Sequence, residues 1–374
     1  DEVDSIMISI SAPAGLKSVS NGRLRSVNER PDGYTQFNWF VSNPINNYNV
    51  TFYIGDYTNW KDEFQGEKGK LSLDYWAMKT DSAVAKRHWD QNVKPMLKCF
   101  EYWFGPYPFY EDGYKLVQAP HLGMEHQSAV AYGNQFKNGY LGKDLSGSGY
   151  GLKFDFIVIH ESAHEWFGNN ITSKDVADMW IHEGFTNYSE TLYTEMQSGK
   201  EAGTAYVTGI RSNIKNDIPI IGPYGVNKEG SGDMYYKGAN LVHIIRQLVN
   251  NDEQFRAILR GMNKTFYHQT VTTATIENYI AQQSGLKLDK IFDQYLRHAD
   301  IPVFEYKIES GKLHYRWKSA VKDFDMPLKV SLKKKGFDYI YPTSEWKSTK
   351  IARTIGEKEF KIDPNFYVAV KKVK

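Results

Sequence analysis

A multidomain α+β protein is predicted for this chain by three observations. Its 374 residues exceed what one hydrophobic core usually organises. Strand-and-turn patterns occupy both ends, and helical spacing fills the middle.

In residues 6–57, alternating runs such as Met7-Ile8-Ser9-Ile10 and Asn49-Val50-Thr51-Phe52-Tyr53-Ile54 are punctuated by turn residues at Gly15, Asn21-Gly22, Gly33 and Pro44. The polar, aperiodic stretch 62–70 reads as a loop and sets a boundary at residue 66. Helical spacing then marks 82–104, 151–168, 179–197, 236–250, 252–262 and 275–284. After His298 alternation returns, as in Val303-Phe304-Glu305-Tyr306-Lys307-Ile308, and continues to Val373. The expected division is a partial β-rich amino-terminal domain over 1–66, a mainly helical domain over 67–300, and a small β-sandwich over 301–374. The Gly-rich stretch 138–151 reads as a loop; its place just before a motif-bearing helix leaves a role at the rim of a site open.

Composition removes several classes of function. A formal charge of +2, from 46 basic and 44 acidic residues, gives no electrostatic reason to expect a nucleic acid partner. No apolar run reaches the roughly 20 residues that cross a bilayer. Cys99 is the only cysteine, which excludes an intrachain disulfide and a multi-cysteine zinc module and leaves the compartment open. The start Asp1-Glu2-Val3-Asp4 has neither an initiator Met nor a signal-like segment. The expectation is a chain trimmed from a longer precursor, with a lean to an extracytoplasmic location, periplasmic or secreted.

The chemistry is concentrated in His160-Glu161-Ser162-Ala163-His164, an H-E-x-x-H on a predicted helix that Gly168 or Asn169 could cap. Residues at i and i+4 share a helix face, so both imidazoles point the same way. Nitrogen donors suit Zn²⁺, which at a catalytic site takes three protein ligands and keeps a position for water. Glu161, one residue past the first ligand, is placed to be the base. A helix can carry two histidines for packing alone, so a third ligand is what makes the reading specific. Glu183 supplies it, eighteen residues beyond His164, a gap that fits a helix end, a loop and a second helix. Neighbouring His182 points about 100° away around that helix. One zinc per chain on His160, His164 and Glu183 is the expectation.

These residues resemble the aminopeptidase N family of gluzincin metallopeptidases, which includes leukotriene hydrolase. Four motifs stand in the family's order: H-E-x-x-H; Trp166-Phe167-Gly168-Asn169, similar to its W-F-G-N; Glu183 within His182-Glu183-Gly184-Phe185; and Tyr235-Tyr236-Lys237-Gly238, similar to its Y-x-K-G. Upstream, Gly123-Met124-Glu125-His126 resembles its exopeptidase motif G-x-M-E-N. The resemblance implies a thermolysin-like catalytic domain and hydrolysis of the amino-terminal residue from peptides. It implies that Gly123, Met124 and Glu125 bind substrate, with Glu125 receiving the α-amino group, and that the Tyr235 hydroxyl stabilises the oxyanion. Tyr236 is the rival to Tyr235 because of the doubled tyrosine. Two positions depart from the motif: Leu122 stands for its first Gly and His126 for its final Asn, so neither role carries over. The family's carboxy-terminal helical domain has no counterpart here.

Glu165, Asp178, Asn187 and Glu190 are candidates for hydrogen bonds behind the metal ligands, and sequence does not rank them. The aromatic run 102–110 reads as core packing around a rigid turn rather than a ligand-stacking surface. Two other functions share some of these features. A thermolysin-type endopeptidase has no use for a Glu125-type anchor; a catalytically silent family member serving as a binding scaffold has no use for intact Glu161 and Tyr235.

Overall fold

The computed structural model describes residues 2–318 and 320–373; Asp1, Ser319 and Lys374 lie outside the described residues. Eight α-helices are described: α1 Ser82–Phe104, α2 Phe156–Ala163, α3 Trp180–Ser198, α4 Lys200–Gly209, α5 Tyr236–Val249, α6 Asp252–Thr265, α7 Thr273–Ser284 and α8 Asp289–Arg297. The chain divides into two compact units. The first holds the chain as far as Thr172, with Ser189–Tyr206 and Leu259–Val271; the second holds Ser173–Tyr188, Val207–Ile258 and the chain from Thr272 onward. Strands dominate the start, helices the middle and strands the end, the α+β multidomain arrangement expected from the alternating and helical patterns.

The first unit is organised by a five-stranded mixed sheet in the order Gly123–Met124, Val130–Tyr132, Tyr114–Gln118, Gly69–Met78, Tyr57–Gly66. The last two strands form a hairpin in which Gly66 pairs with Gly69, so the stretch 62–70 expected as a loop is instead strand on either side of a tight turn. Because successive strand residues face opposite ways, the sheet has two packed faces. Trp76, Val117 and Ala131 are in register and join Phe37, Trp39 and Tyr53 of the amino-terminal strands in one buried cluster. Tyr75, on the other face, stacks with Trp60 and Trp89 of α1. Tyr132 meets Trp89 edge-on at 5.3 Å. Burying the sheet on both sides leaves its short edge strand, Gly123–Met124, paired only with Val130–Tyr132.

The helix predicted over 151–168 is shorter than its periodicity suggested. A 3-10 turn at Tyr150–Leu152 precedes it, and α2 begins only after Asp155, whose side chain accepts from Val158 N. An N-cap aspartate satisfies a helix-start N–H that has no partner within the helix, typically worth about 1 kcal/mol. At the other end His164 is the C-cap residue, and the chain continues in irregular turns in which Asn169 N donates to His164 O and Asn170 N to Glu165 O.

In the second unit, α5 and α8 pack together and lead into a four-stranded sheet in the order Lys347–Lys350, Lys312–Lys318, Val303–Glu309, Ala369–Lys372. A two-stranded ladder, Leu328–Val330 with Asp338–Ile340, lies alongside in sequence.

Candidate metal centre

Every residue of α2 is buried. A helix with no solvated face lies in a core, and here that core fixes the direction of two imidazoles. Asp155, itself fully buried, anchors the helix start: besides capping Val158 N it accepts from Tyr132 Oη (2.6 Å) and Asn134 Nδ2 (2.9 Å) and meets His88 Nε2 at 2.6 Å. Asp155 was not singled out in the sequence, although an acidic residue just before an apolar helix is a legible cap signal.

Imidazole nitrogens of His160 and His164 and a carboxylate oxygen of Glu183 lie within 4.8 Å of one another, a spacing at which one metal ion can be shared. A second group within the same limit is Glu125, Glu161 and His164. Both rings have one nitrogen engaged away from these groups. His160 Nδ1 is 2.8 Å from Glu190 Oε1, and the other oxygen of Glu190 accepts from Tyr206 Oη at 2.6 Å. His164 Nδ1 is 3.0 Å from the carbonyl of Phe167, which can only accept. Each Nδ1 therefore carries the proton, and each Nε2 presents a lone pair, the tautomer a metal requires. Two imidazole nitrogens and one carboxylate form a donor set that fits Zn²⁺. Of the four unranked candidates for support, Glu190 holds a metal-motif histidine. Glu183 lies in the first turn of α3, two turns before Glu190 on the same helix.

Glu161 projects from α2 toward the edge strand. A Cβ on Gly123 would stand 2.5 Å from Glu161 Oε1 and 2.9 Å from Ile157 Cγ2, so only glycine lets the strand pass over the carboxylate. Met124 is half-buried against the cluster of Trp39, Tyr53 and Trp76. Glu125, buried, follows them, and its carboxylate converges with Glu161 and His164.

The loop that carries Glu125 is held from both sides. From the metal-motif segment, Asn169 Nδ2 donates to Glu125 O (2.7 Å) and Glu165 Oε1 accepts from Ser128 N (2.8 Å). From turns of the amino-terminal segment, Asn49 Nδ2 donates to Asn169 Oδ1 (2.7 Å), Asn21 Nδ2 to Asn49 O (2.9 Å) and to Gln127 O (2.6 Å), and Gly22 N to Ser128 Oγ (2.9 Å). These partners are as much as 120 residues apart, and no local pattern marks them. Burial pushes the Glu165 carboxyl up to about 8. His126, where the motif has Asn, contacts Tyr53 Oη through Nδ1 at 2.7 Å. Burial pulls its ring down to about 4, with His121 adding to the effect. Since the Tyr53 proton goes to Ala129 O (2.8 Å), His126 is a neutral donor at Nδ1.

Tyr235 caps the start of α5 in the second unit, half-buried, with its ring 6.4 Å from that of Tyr236, also half-buried. Behind them, Lys237 Nζ donates to His298 O (3.1 Å) and Ala299 O (2.6 Å), and Gly238 packs against Gly184 of α3. The lysine and glycine of that motif thus anchor the helix.

The sequence profile of the peptidase family M1 domain matches residues 89–295, more than half of the chain. The chain is 21% identical over 329 residues to "Probable aminopeptidase 1" of Sulfurisphaera tokodaii, covering 82% of this chain and 40% of that protein. It is 26% identical over 322 residues to mouse aminopeptidase B, covering 76% of this chain and 47% of that one. Among solved structures, the M1 zinc metallopeptidase of Deinococcus radiodurans shares the fold with a TM-score of 0.66 at 21% identity, over 80% of this chain and 64% of that chain. The chain spans less than half the length of these two curated relatives.

Proposed function

The chain belongs to peptidase family M1, and from that premise we propose that it is a zinc-dependent aminopeptidase that removes the first residue of peptides with a free amino terminus. His160, His164 and Glu183 hold the metal, because their donor atoms converge and both rings present Nε2. When bound, Zn²⁺ supplies Lewis acidity to the scissile carbonyl and makes water a nucleophile near neutral pH.

The protein's own groups do the rest. Glu161 accepts the proton of the attacking water and delivers it to the leaving amine. Tyr235 donates to the carbonyl oxygen as negative charge develops there. Glu125 pairs with the ammonium group of the substrate, and its distance from Glu161 sets which peptide bond is presented. Partners are peptides; relatives named aminopeptidases support this substrate class.

The observation that carries the reading is the convergence of two buried carboxylates, Glu125 and Glu161, on His164. One carboxylate suffices for the base, and the second fits an ammonium anchor. The test is kcat/KM for a free-amino peptide against its acetylated twin. The expected ratio is far above one and collapses in Glu125→Ala; a ratio near one in the unmodified protein replaces this reading with a thermolysin-type endopeptidase.

A further inference from the structure

Behind the metal-motif segment, in the first unit, lies a cavity of about 470 Å³ with no part in the chemistry above. Its floor is apolar, built from Phe104, Gly105 and Pro106 after α1. Its mouth carries Lys68, Arg260 and Lys264 beside the ring of Tyr267. No carboxylate belongs to the lining. Glu67, next to Lys68 in sequence, is taken: its two oxygens accept from Arg260 at 2.8 and 2.6 Å. Among the described residues neither Lys68 nor Lys264 forms an ion pair, and Lys68 Nζ stands 5.0 Å over the Tyr267 ring.

An apolar floor beneath two uncompensated ammonium groups selects a particular ligand. A hydrophobic body satisfies the floor, and an anionic head satisfies the lysines at a mouth where charge is only partly screened. A cation is repelled, and a neutral apolar molecule leaves both lysines uncompensated. The pocket size suits one small molecule rather than a chain segment. Asn263, also in the lining, is buried and held in place: its Nδ2 donates to Leu259 O (3.2 Å) and its Oδ1 accepts from Asn170 Nδ2 (3.0 Å).

We propose that this cavity is a binding site for a small amphipathic anion, an aromatic or aliphatic body bearing one carboxylate or sulfonate. The site is not isolated from the metal motif. Gly105 O accepts from Trp166 Nε1 at 3.0 Å, and Phe104 meets Phe167 edge-on at 5.0 Å. The carbonyl of that same Phe167 fixes His164. A ligand on the floor therefore bears on the residues that orient one imidazole.

The test uses anilinonaphthalene sulfonate, an aromatic monoanion whose fluorescence rises on leaving water, titrated into the zinc-loaded protein with a peptide hydroxamate on the metal. Saturable binding of one probe per chain is expected to weaken about tenfold or more in the double variant Lys68→Glu, Lys264→Glu. Both lysines are exposed, so the fold survives their reversal. Reversing Lys334 and Lys335, exposed in the second unit, controls for general surface charge and is expected to leave affinity unchanged. A smaller loss in the first double variant, an equal loss in the control, or displacement of the probe by the hydroxamate would each overturn the assignment. None of these readouts requires peptidase activity, so failure of this site and failure of the aminopeptidase reading are separately visible.

Discussion

A Cβ placed on Gly238 would stand 3.0 Å from the Cα of Gly184, so the first turns of α5 and α3 cross in backbone contact. Tyr235 precedes one side of this crossing and Glu183 precedes the other, and the separation of the two helices sets where both groups point. Gly238→Ala is expected to force the helices apart by a few tenths of an ångström, at an overpacking cost of about 1–3 kcal/mol. Thermal midpoint and kcat should fall together. Gly184→Ala, whose new Cβ would meet its nearest neighbours at 3.3 Å, should be milder. A Gly238→Ala variant with unchanged melting and turnover would show that the close approach is dispensable.

Glu161→Gln should keep the fold and the metal and lose turnover by several orders of magnitude, because the amide keeps the shape and cannot accept the proton. Tyr235→Phe should lower kcat more than it raises KM. Metal analysis beside steady-state kinetics checks both. Collapse in Tyr236→Phe with near-normal Tyr235→Phe would transfer the role to the neighbouring ring.

The Glu190 carboxylate holds the protonated nitrogen of His160, so removing it frees the tautomer and the ring orientation. Glu190→Gln should weaken zinc binding by about 10–100-fold. Tyr206→Phe, which strips one donor from the same carboxylate, should have a smaller effect in the same direction. Competition with a metal-sensitive dye gives both affinities, and equal affinity in Glu190→Gln and the parent would leave Glu190 with a packing role only.

Asn169 links the Glu125 loop to Asn49, which ends the 3-10 turn Asn47–Asn49. Asn169→Ala leaves a buried carbonyl and a buried amide short of a partner, costing about 1–3 kcal/mol. If the relay aims Glu125, the penalty falls mainly on free-amino substrates, and the ratio of kcat/KM for free over acetylated peptide should drop about tenfold. A uniform loss on both substrates would reduce Asn169 to general support.

Lys115 is buried among Trp39 and the carbonyl of Gly22, and burial pulls its ammonium down to about 8. An unfolded lysine titrates near 10.5. Between those values the folded chain binds fewer protons than the unfolded chain, so stability rises with pH, by at most about 1.4 kcal/mol per unit from this group. Lys237, also lowered to about 8 by burial, acts in the same direction. Lys115→Met should flatten the slope of unfolding free energy over pH 8 to 10.5 as read by urea denaturation. An unchanged slope would place the proton elsewhere.

The convergence of His160, His164 and Glu183 was legible because their relationships are short in sequence: a four-residue step, then a gap that two helices can close. Gly123 and Glu125 were legible through a local motif. Glu190 could not be told from Asp178, Asn187 and Glu165, since which carboxylate reaches an imidazole depends on how α3 is rotated, and helical spacing does not contain that. Asn21 and Tyr53 were invisible for a different reason: they donate to backbone carbonyls, which any residue supplies, and Asn49 reaches its partner Asn169 across 120 residues. The late start of α2 was not foreseen because the cap that sets it, Asp155, was not singled out.

The sheathing of α2 has a consequence for how long the donor geometry lasts. Amides in an element with no solvent-facing side exchange their hydrogens only when the whole fold opens, so α2 belongs with the slowest-exchanging part of the chain. The stereochemistry presented by His160 is thus inherited from the global folding equilibrium and does not have to be rebuilt each time an ion departs.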